Sequence, residues 1–261
     1  MSDIIKKVVI MVTGTNIEPF SNNHRECERT WIPELRNMGF RVITAVGNPE
    51  LDKIGTMTPE DFQDYYKMIG DNTIQFNTFD TKNGLFDKSI KLPSKWVLEE
   101  TNYEYYFRID SDSFVRGDNF LKMLEDNFQM FPDLDYMGCC HPWGGWNPNH
   151  HTRFSVCRHG HFGAGCGYMV SRRAMHIALD KMRVLQPSEF QADDWVLGRA
   201  MWENGIPLVH DSRIYFESKY KRIIADYDGI GIPDISDKDS HLAIQHYMNG
   251  HMEEAMKKLN L

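Results

Sequence analysis

Lys7 to Thr13 reads Lys-Val-Val-Ile-Met-Val-Thr, a nearly unbroken apolar and largely β-branched run that stops at Thr13-Gly14-Thr15. A strand with one wet face alternates apolar and polar residues. This one does not, so both its faces must be covered. Phe40 to Val46 has the same character and stops at Gly47-Asn48-Pro49. Two such strands separated by a helix-length segment call for a crossover connection and a buried parallel pair. The intervening helix is expected over Arg25 to Met38, with Asn22 or Asn23 as its cap and Gly39 as the left-handed residue that ends it.

The alternation continues. A helix is expected over Asp61 to Ile69, ending at Gly70, then a strand over Thr73 to Phe79. A helix follows over Leu85 to Glu99, carrying Trp96 inward, with Pro93 as the point where it can kink. Tyr105 to Ile109 is the next strand. The pattern predicts an α/β fold with a mostly parallel, Rossmann-like sheet and helices on both faces, its ligands beyond the carboxyl ends of the strands. The second half is less regular. Strands are expected at Tyr136 to Cys140, Phe162 to Val170, Ile206 to His210 and Arg213 to Phe216, with a loop over 141 to 160 and helices at Ser171 to Met182 and Asp193 to Glu203. Residues 218 to 240 carry Asp, Gly and Lys and few apolar side chains, the composition of a loop that orders on binding. His241 to Tyr247 is strand-like, and a helix starts at Met252.

With 261 residues, 41% of them hydrophobic, the chain can bury one sizeable core, so residues 1–261 are expected to form a single domain. A net charge of -8 argues against a nucleic-acid partner, which would require a basic face. No apolar run approaches the roughly 18 residues of a membrane span, and Val8 to Val12 is too short for a signal-peptide core. Five cysteines, Cys27, Cys139, Cys140, Cys157 and Cys166, do not make a disulfide framework. Reduced thiols and a cytoplasmic location are the expectation.

Asp110-Ser111-Asp112 ends the Tyr105 strand and spaces two carboxylates to share a hard divalent cation, Mn2+ or Mg2+. The same spacing also occurs in surface turns, where acids accept backbone hydrogen bonds. Asp193-Asp194 opens a helix; one acid can cap it while the other projects into a cleft as a general base. His241 and His246 are either packed residues or a third metal ligand. Zinc is the obvious thought for Cys139 to Cys166 with His141, His150, His151, His159 and His161, but no pair has tight structural-zinc spacing. Trp143 and Trp146 either present flat faces to sugar rings or fold back on the core. Gly163-Ala164-Gly165-Cys166-Gly167 lets backbone approach a ligand but lacks P-loop spacing.

In chain order these segments resemble the inverting β-1,3-glycosyltransferases of the GT-A fold, the group of β-1,3-galactosyltransferases, core 1 galactosyltransferase and Fringe. Arg25-Glu26-Cys27-Glu28-Arg29-Thr30-Trp31 is similar to the family's Arg-x3-Arg-x-Thr-Trp segment, and Leu85-Phe86-Asp87-Lys88-Ser89 loosely to Asn-Leu-Thr-x-Lys-Thr. Asp110 to Val115 is similar to Asp-Asp-Asp-Thr-Phe/Tyr-Val, with Ser111 replacing the middle acid. Gly163 to Arg172 resembles the segment that lines the donor sugar, and Asp193 to Arg199 resembles Glu-Asp-Val-x-x-Gly-x, whose second acid is the family's base. Ser240 to Tyr247 is similar to the tail ending in His-Tyr, which favours His246 over His241.

The resemblance implies a metal-dependent inverting transfer of a hexose (galactose, glucose or an N-acetylhexosamine) from a UDP-sugar to a hydroxyl of a glycan or glycoconjugate, with β-1,3 linkage. Residues 1–116 would be the nucleotide-binding half and 117–261 the acceptor-binding and catalytic half. It implies Asp194 as catalytic base and Asp110, Asp112 and His246 as metal residues, Asp110 steadying the ribose or a metal-bound water. Thr13, Arg25, Lys88 and Arg108 would bind donor together with Ser111, Gly165 and Gly167; Trp143, Trp146 and Trp195 would face the acceptor. Animal members of the family carry a membrane anchor, a stem and disulfides; a soluble version is the expectation here. A retaining GT-A mannosyltransferase with a GDP donor, hinted at by Tyr-Tyr-Phe-Arg before the acids, is the nearest alternative. A sugar-binding protein with a decayed site, suggested by Ser111, and a metal-dependent phosphohydrolase are the others.

Overall fold

A computed structural model of the chain describes residues 3–18, 21–140, 154–157, 163–182, 193–215, 240, 242–245 and 252–259. The first half alternates α1 (Asp3–Lys7), β1 (Val8–Thr13), α2 (Ser21–Arg29), α3 (Trp31–Asn37), β2 (Arg41–Val46), α4 (Pro49–Ile54), β3 (Tyr66–Met68), β4 (Thr73–Phe76), α5 (Leu92–Glu100) and β5 (Tyr105–Asp110). Then come β6 (Phe114–Val115), α6 (Gly117–Met130), β7 (Tyr136–Cys140), β8 (Phe154–Cys157), β9 (Gly163–Ser171), α7 (Arg172–Met182) and α8 (Asp193–Glu203). The chain continues through β10 (Leu208–Asp211), β11 (Ile214–Tyr215), β12 (Ile244–Gln245) and α9 (Met252–Leu259).

A nine-stranded sheet in the order β3-β4-β2-β1-β5-β9-β7-β10-β8 forms the centre, and β11-β12-β6 form a small second sheet. The central strands β4, β2, β1 and β5 pair in parallel, as do β7 and β10. Only β3, β9 and β8 run the other way, so the α/β, mostly parallel architecture expected from the sequence is present. The apolar run of β1 is buried throughout because its alternate residues serve opposite layers. Val8, Ile10 and Val12 pack with Trp31, Leu35 and Phe120, while Val9 and Met11 pack with Ile43, Trp96 and Tyr106. Each such side chain contributes roughly 1.5–3 kcal/mol of burial.

Several local expectations are corrected. The single helix over Arg25 to Met38 is two helices, and it starts at Ser21 rather than after an Asn22 or Asn23 cap. Pro33 has no N–H for the Arg29 carbonyl, so a continuous helix would break there; it sits in the first turn of α3, where an N–H is not needed. Thr30 fills the junction by donating its hydroxyl to the Glu26 carbonyl at 2.6 Å. Asp61 to Ile69 is not a helix: a single 3-10 turn, Pro59–Phe62, precedes the edge strand β3. Tyr65, Tyr66 and Ile69 suit a pleated surface, and Gly70, at φ 68, turns the chain back into β4. The loop over 141 to 160 contains a strand, β8, antiparallel to β10.

The expected kink at Pro93 takes the form of a π-helical turn, Asp87–Lys91, ahead of α5. Pro93 cannot donate to the carbonyl of Ser89, and that carbonyl instead accepts the hydroxyl of Tyr106 on β5.

Candidate active site

β5 delivers its terminal acids to the carboxyl edge of the sheet beside Thr13, which is paired with Asp110 in the β1–β5 register. The residues of β5 alternate: Phe107 and Ile109 enter one core layer, while Arg108 points into the other and is buried. Its guanidinium lies 2.6 Å from Asp110 Oδ1 and 3.2 Å from Asp193 Oδ2, and it donates to the carbonyl of Gly165. Burial alone would lower the Arg108 pKa, but Asp110 and Asp193 raise it well above its ordinary value. One cation thus fastens the end of β5, the bulged start of β9 and the first turn of α8.

Asp193 and Asp194 divide the first turn of α8 between them. Asp193 is buried against Arg108, and burial raises its pKa. Asp194 is only partly enclosed and accepts two backbone N–H groups, Gly165 at 3.2 Å and Trp195 at 2.8 Å. Burial, with the negative charge of Asp193 next, pushes its pKa up to about 7, although Arg108 opposes the shift. A carboxylate of that basicity at the mouth of a sheet can take a proton from a hydroxyl near neutral pH.

The backbone at Gly165 packs closely against the Arg108–Asp110 pair. A Cβ there would stand 2.6 Å from both Arg108 Nη1 and Asp110 Oδ2, and one at Gly167 would meet Ile244 Cδ1 at 2.9 Å. Ser111 is partly buried, and its carbonyl accepts the thiol of Cys27 at 3.1 Å. Burial, with Trp31 opposing and the charges of Glu26 and Asp112 assisting, holds that thiol well above its usual pKa, so it remains a donor.

Sequence reasoning passed over Asp80. This buried carboxylate accepts from Thr15 Oγ1 at 3.0 Å and from the N–H groups of Asn16 at 2.6 Å and Gly47 at 2.8 Å, and Lys88 Nζ lies 3.2 Å away. It ties the loops after β1, β2 and β4 together. The available signal was an acid just past a strand at Phe79-Asp80, the same signal that singled out Asp110. Burial lowers the Lys88 pKa while Asp80 opposes the change. Arg25 is exposed and pairs with Glu18 at 3.1 Å, apart from the Arg108 cluster. Trp195 lies on α8 beside Asp194, with the Arg199 guanidinium 5.8 Å from its ring.

Asp110, Asp193 and Asp194 bring three carboxyl groups around Arg108, with Asp112 two residues past Asp110 in the chain; carboxylate oxygens are the donors a hard divalent cation takes. Among the described residues no three His, Cys, Asp or Glu side chains form a metal-holding group. His246, the expected third ligand, lies outside the described residues, as do His241, Trp143, Trp146, the histidines of the 139–166 segment and residues 218–239. Cys27, Cys139 and Cys166 are buried. No helix among the described residues is long and apolar enough to cross a membrane.

Solved structures similar to this chain include CMP:2-keto-3-deoxy-manno-octonic acid synthetase complexed with CTP, at 13% identity over 78% of this chain and 88% of that one, with a TM-score of 0.42. Another is 4-diphosphocytidyl-2C-methyl-D-erythritol synthase from Anaerococcus prevotii DSM 20548, at 12% identity over 85% and 97%, with a TM-score of 0.40. Likenesses this distant carry no argument about ligand or reaction. No curated protein matches the chain. The Galactosyltransferase family model matches residues 25–212, a span that runs from α2 through α8 to the end of β10 and includes Asp110, Asp112, Gly165 and Asp194. By that match over well more than half its length, the chain belongs to the galactosyltransferase family and is a glycosyltransferase.

Proposed function

We propose that the protein moves a hexose from a UDP-sugar to a hydroxyl of a glycan or glycoconjugate acceptor with inversion at the anomeric carbon, using Asp194 as base. The observation that carries this reading is the setting of Asp194, a carboxyl held by two backbone N–H groups, with its pKa pushed up to about 7, next to the Arg108 cluster at the carboxyl edge of the sheet.

Asp194 takes the proton of the acceptor hydroxyl as that oxygen bonds to the anomeric carbon. The bond from the anomeric carbon to the diphosphate breaks, and its electron pair leaves with UDP. Attack from the face opposite the diphosphate inverts the configuration. Asp112 and His246 would hold the divalent ion, Mn2+ or Mg2+, which when bound supplies positive charge against the departing diphosphate. Asp110, fixed by Arg108, orients the ribose side of the donor. Gly165 leaves room beside these groups because any side chain there would collide with Arg108 and Asp110.

The test is a panel of UDP-galactose, UDP-glucose, UDP-N-acetylhexosamines and GDP-mannose with Mn2+, repeated with EDTA, with the product anomer read by NMR. Turnover of a UDP-hexose that stops with EDTA and gives the inverted anomer is expected. Preference for GDP-mannose with retained configuration would overturn the reading.

A further inference from the structure

The buried side of the Asp110–Asp112 turn is closed by the last helix of the chain. Met252, the first residue of α9, is fully buried and donates its backbone N–H to the Glu26 carboxylate on α2 at 2.9 Å. A carboxylate at a helix start is favoured by unpaired amides and by the helix dipole, and here the acid comes from a different helix. The Met252 thioether lies 3.8 Å from Cys27 Sγ and 3.9 Å from Thr30 Oγ1. Cys27, equally buried, donates its thiol to the Ser111 carbonyl at 3.1 Å and lies 4.0 Å from that of Ser113. Arg29 and Glu253 pair at the rim, 3.7 Å apart. Contact therefore runs unbroken from α9 through α2 to the peptide between the two acids. Close-packed interiors transmit displacement rather than absorb it.

We propose that α9 is a positioning element of the transfer site, with Met252 and Cys27 fixing the Ser111 carbonyl and thereby the relative placement of the Asp110 and Asp112 carboxylates. The proposal rests on the reading above that this turn holds the donor diphosphate with a divalent ion. Neither Met252 nor Cys27 touches donor or acceptor in this arrangement; both act through the turn. Replacing Cys27 by alanine removes the brace, whereas serine keeps a hydrogen-bond donor aimed at the same carbonyl.

The test is calorimetric titration of the full chain with UDP in the presence of Mn2+, with thermal melts, for Cys27→Ala, Cys27→Ser, Met252→Ala, Glu26→Gln and Asp112→Asn. Cys27→Ala is expected to weaken UDP binding about five-fold, the worth of one hydrogen bond. Cys27→Ser restores it, while both variants melt at similarly lowered temperatures because both lose the sulfur. Met252→Ala weakens binding at least as much as Cys27→Ala does. Glu26→Gln, which keeps the acceptor oxygen but not its charge, is the milder variant, with an expected loss of about two-fold. If the alanine and serine variants at 27 bind equally, or if Met252→Ala and Glu26→Gln bind as the parent does, the positioning role is wrong. Those results leave the donor site standing provided Asp112→Asn abolishes binding. If Asp112→Asn binds as the parent does, the donor reading itself fails, and the proposal with it.

Discussion

Arg108 in the interior of β5 sets a guanidinium nitrogen 3.2 Å from the carboxylate of Asp193 in the first turn of α8, while the same nitrogen lies 2.6 Å from Asp110. The strand that ends in the acid pair and the helix that begins with the base candidate are thereby joined by one side chain. Arg108→Met would leave two enclosed acids without their cation and is expected to cost about 3–5 kcal/mol. Arg108→Lys recovers only part, because a single ammonium cannot reproduce the planar fork that also serves the Gly165 carbonyl. Urea unfolding of the two variants beside the parent measures both.

With Asp194 as the base, activity and stability are expected to respond to pH in opposite directions. Its pKa in the folded protein is pushed up to about 7 from 3.8, burial being the main cause. Acting as a base it must be ionised, so turnover rises with pH through about 7 and levels off above. The folded state holds this proton more tightly than the unfolded chain does. The stability contribution of Asp194 is therefore full below the unfolded pKa and is lost as pH rises through the folded one. A pH–rate profile and melts of the parent and Asp194→Asn should show the parent losing ground to the variant as pH rises from about 4 to about 7.

Gly165→Ala tests how closely the backbone must approach the cluster. The added Cβ would lie 2.6 Å from Arg108 Nη1 and Asp110 Oδ2, so it displaces both and draws the Gly165 N–H away from Asp194. A cost of roughly 1–3 kcal/mol from overpacking is expected, with turnover down about a hundred-fold from misplacement of reacting groups. Thermal melts and initial rates separate the two.

Much of this arrangement was legible in the chain. The unbroken apolar run of β1 announced a strand covered on both faces, and its residues do divide between two layers. Asp110 and Asp194 stood out because acids at a strand end and a helix start have nothing apolar to do there. What escaped was settled by tertiary context. Pro33 split a helix whose apolar period was intact, and Tyr66 to Met68 went to an edge strand because β4 offered a neighbour to pair with. The resemblance put Arg108 among the donor residues; strand alternation sends it inward between Asp110 and Asp193. Asp80 was invisible as a hub because its partners, Thr15, Asn16, Gly47 and Lys88, come from separate loops.

Asp80 and Lys88 form a buried ion pair, their side chains 0% and 4% exposed, and they should behave as one unit. Asp80→Asn strands the lysine charge and frees two loops, an expected loss of about 3 kcal/mol or more. Adding Lys88→Met to that variant should return part of the loss, since the uncompensated charge is then gone. Denaturation midpoints of the single and double variants report the coupling.

The central claim is that Asp194 takes the proton in sugar transfer at this edge of the sheet. The direct measurement is turnover of the UDP-hexose that the parent uses, with Mn2+, by Asp194→Asn whose circular dichroism matches the parent's. A fall in kcat of about 10²–10⁴ with donor binding retained is the predicted result. Turnover equal to the parent's would contradict it.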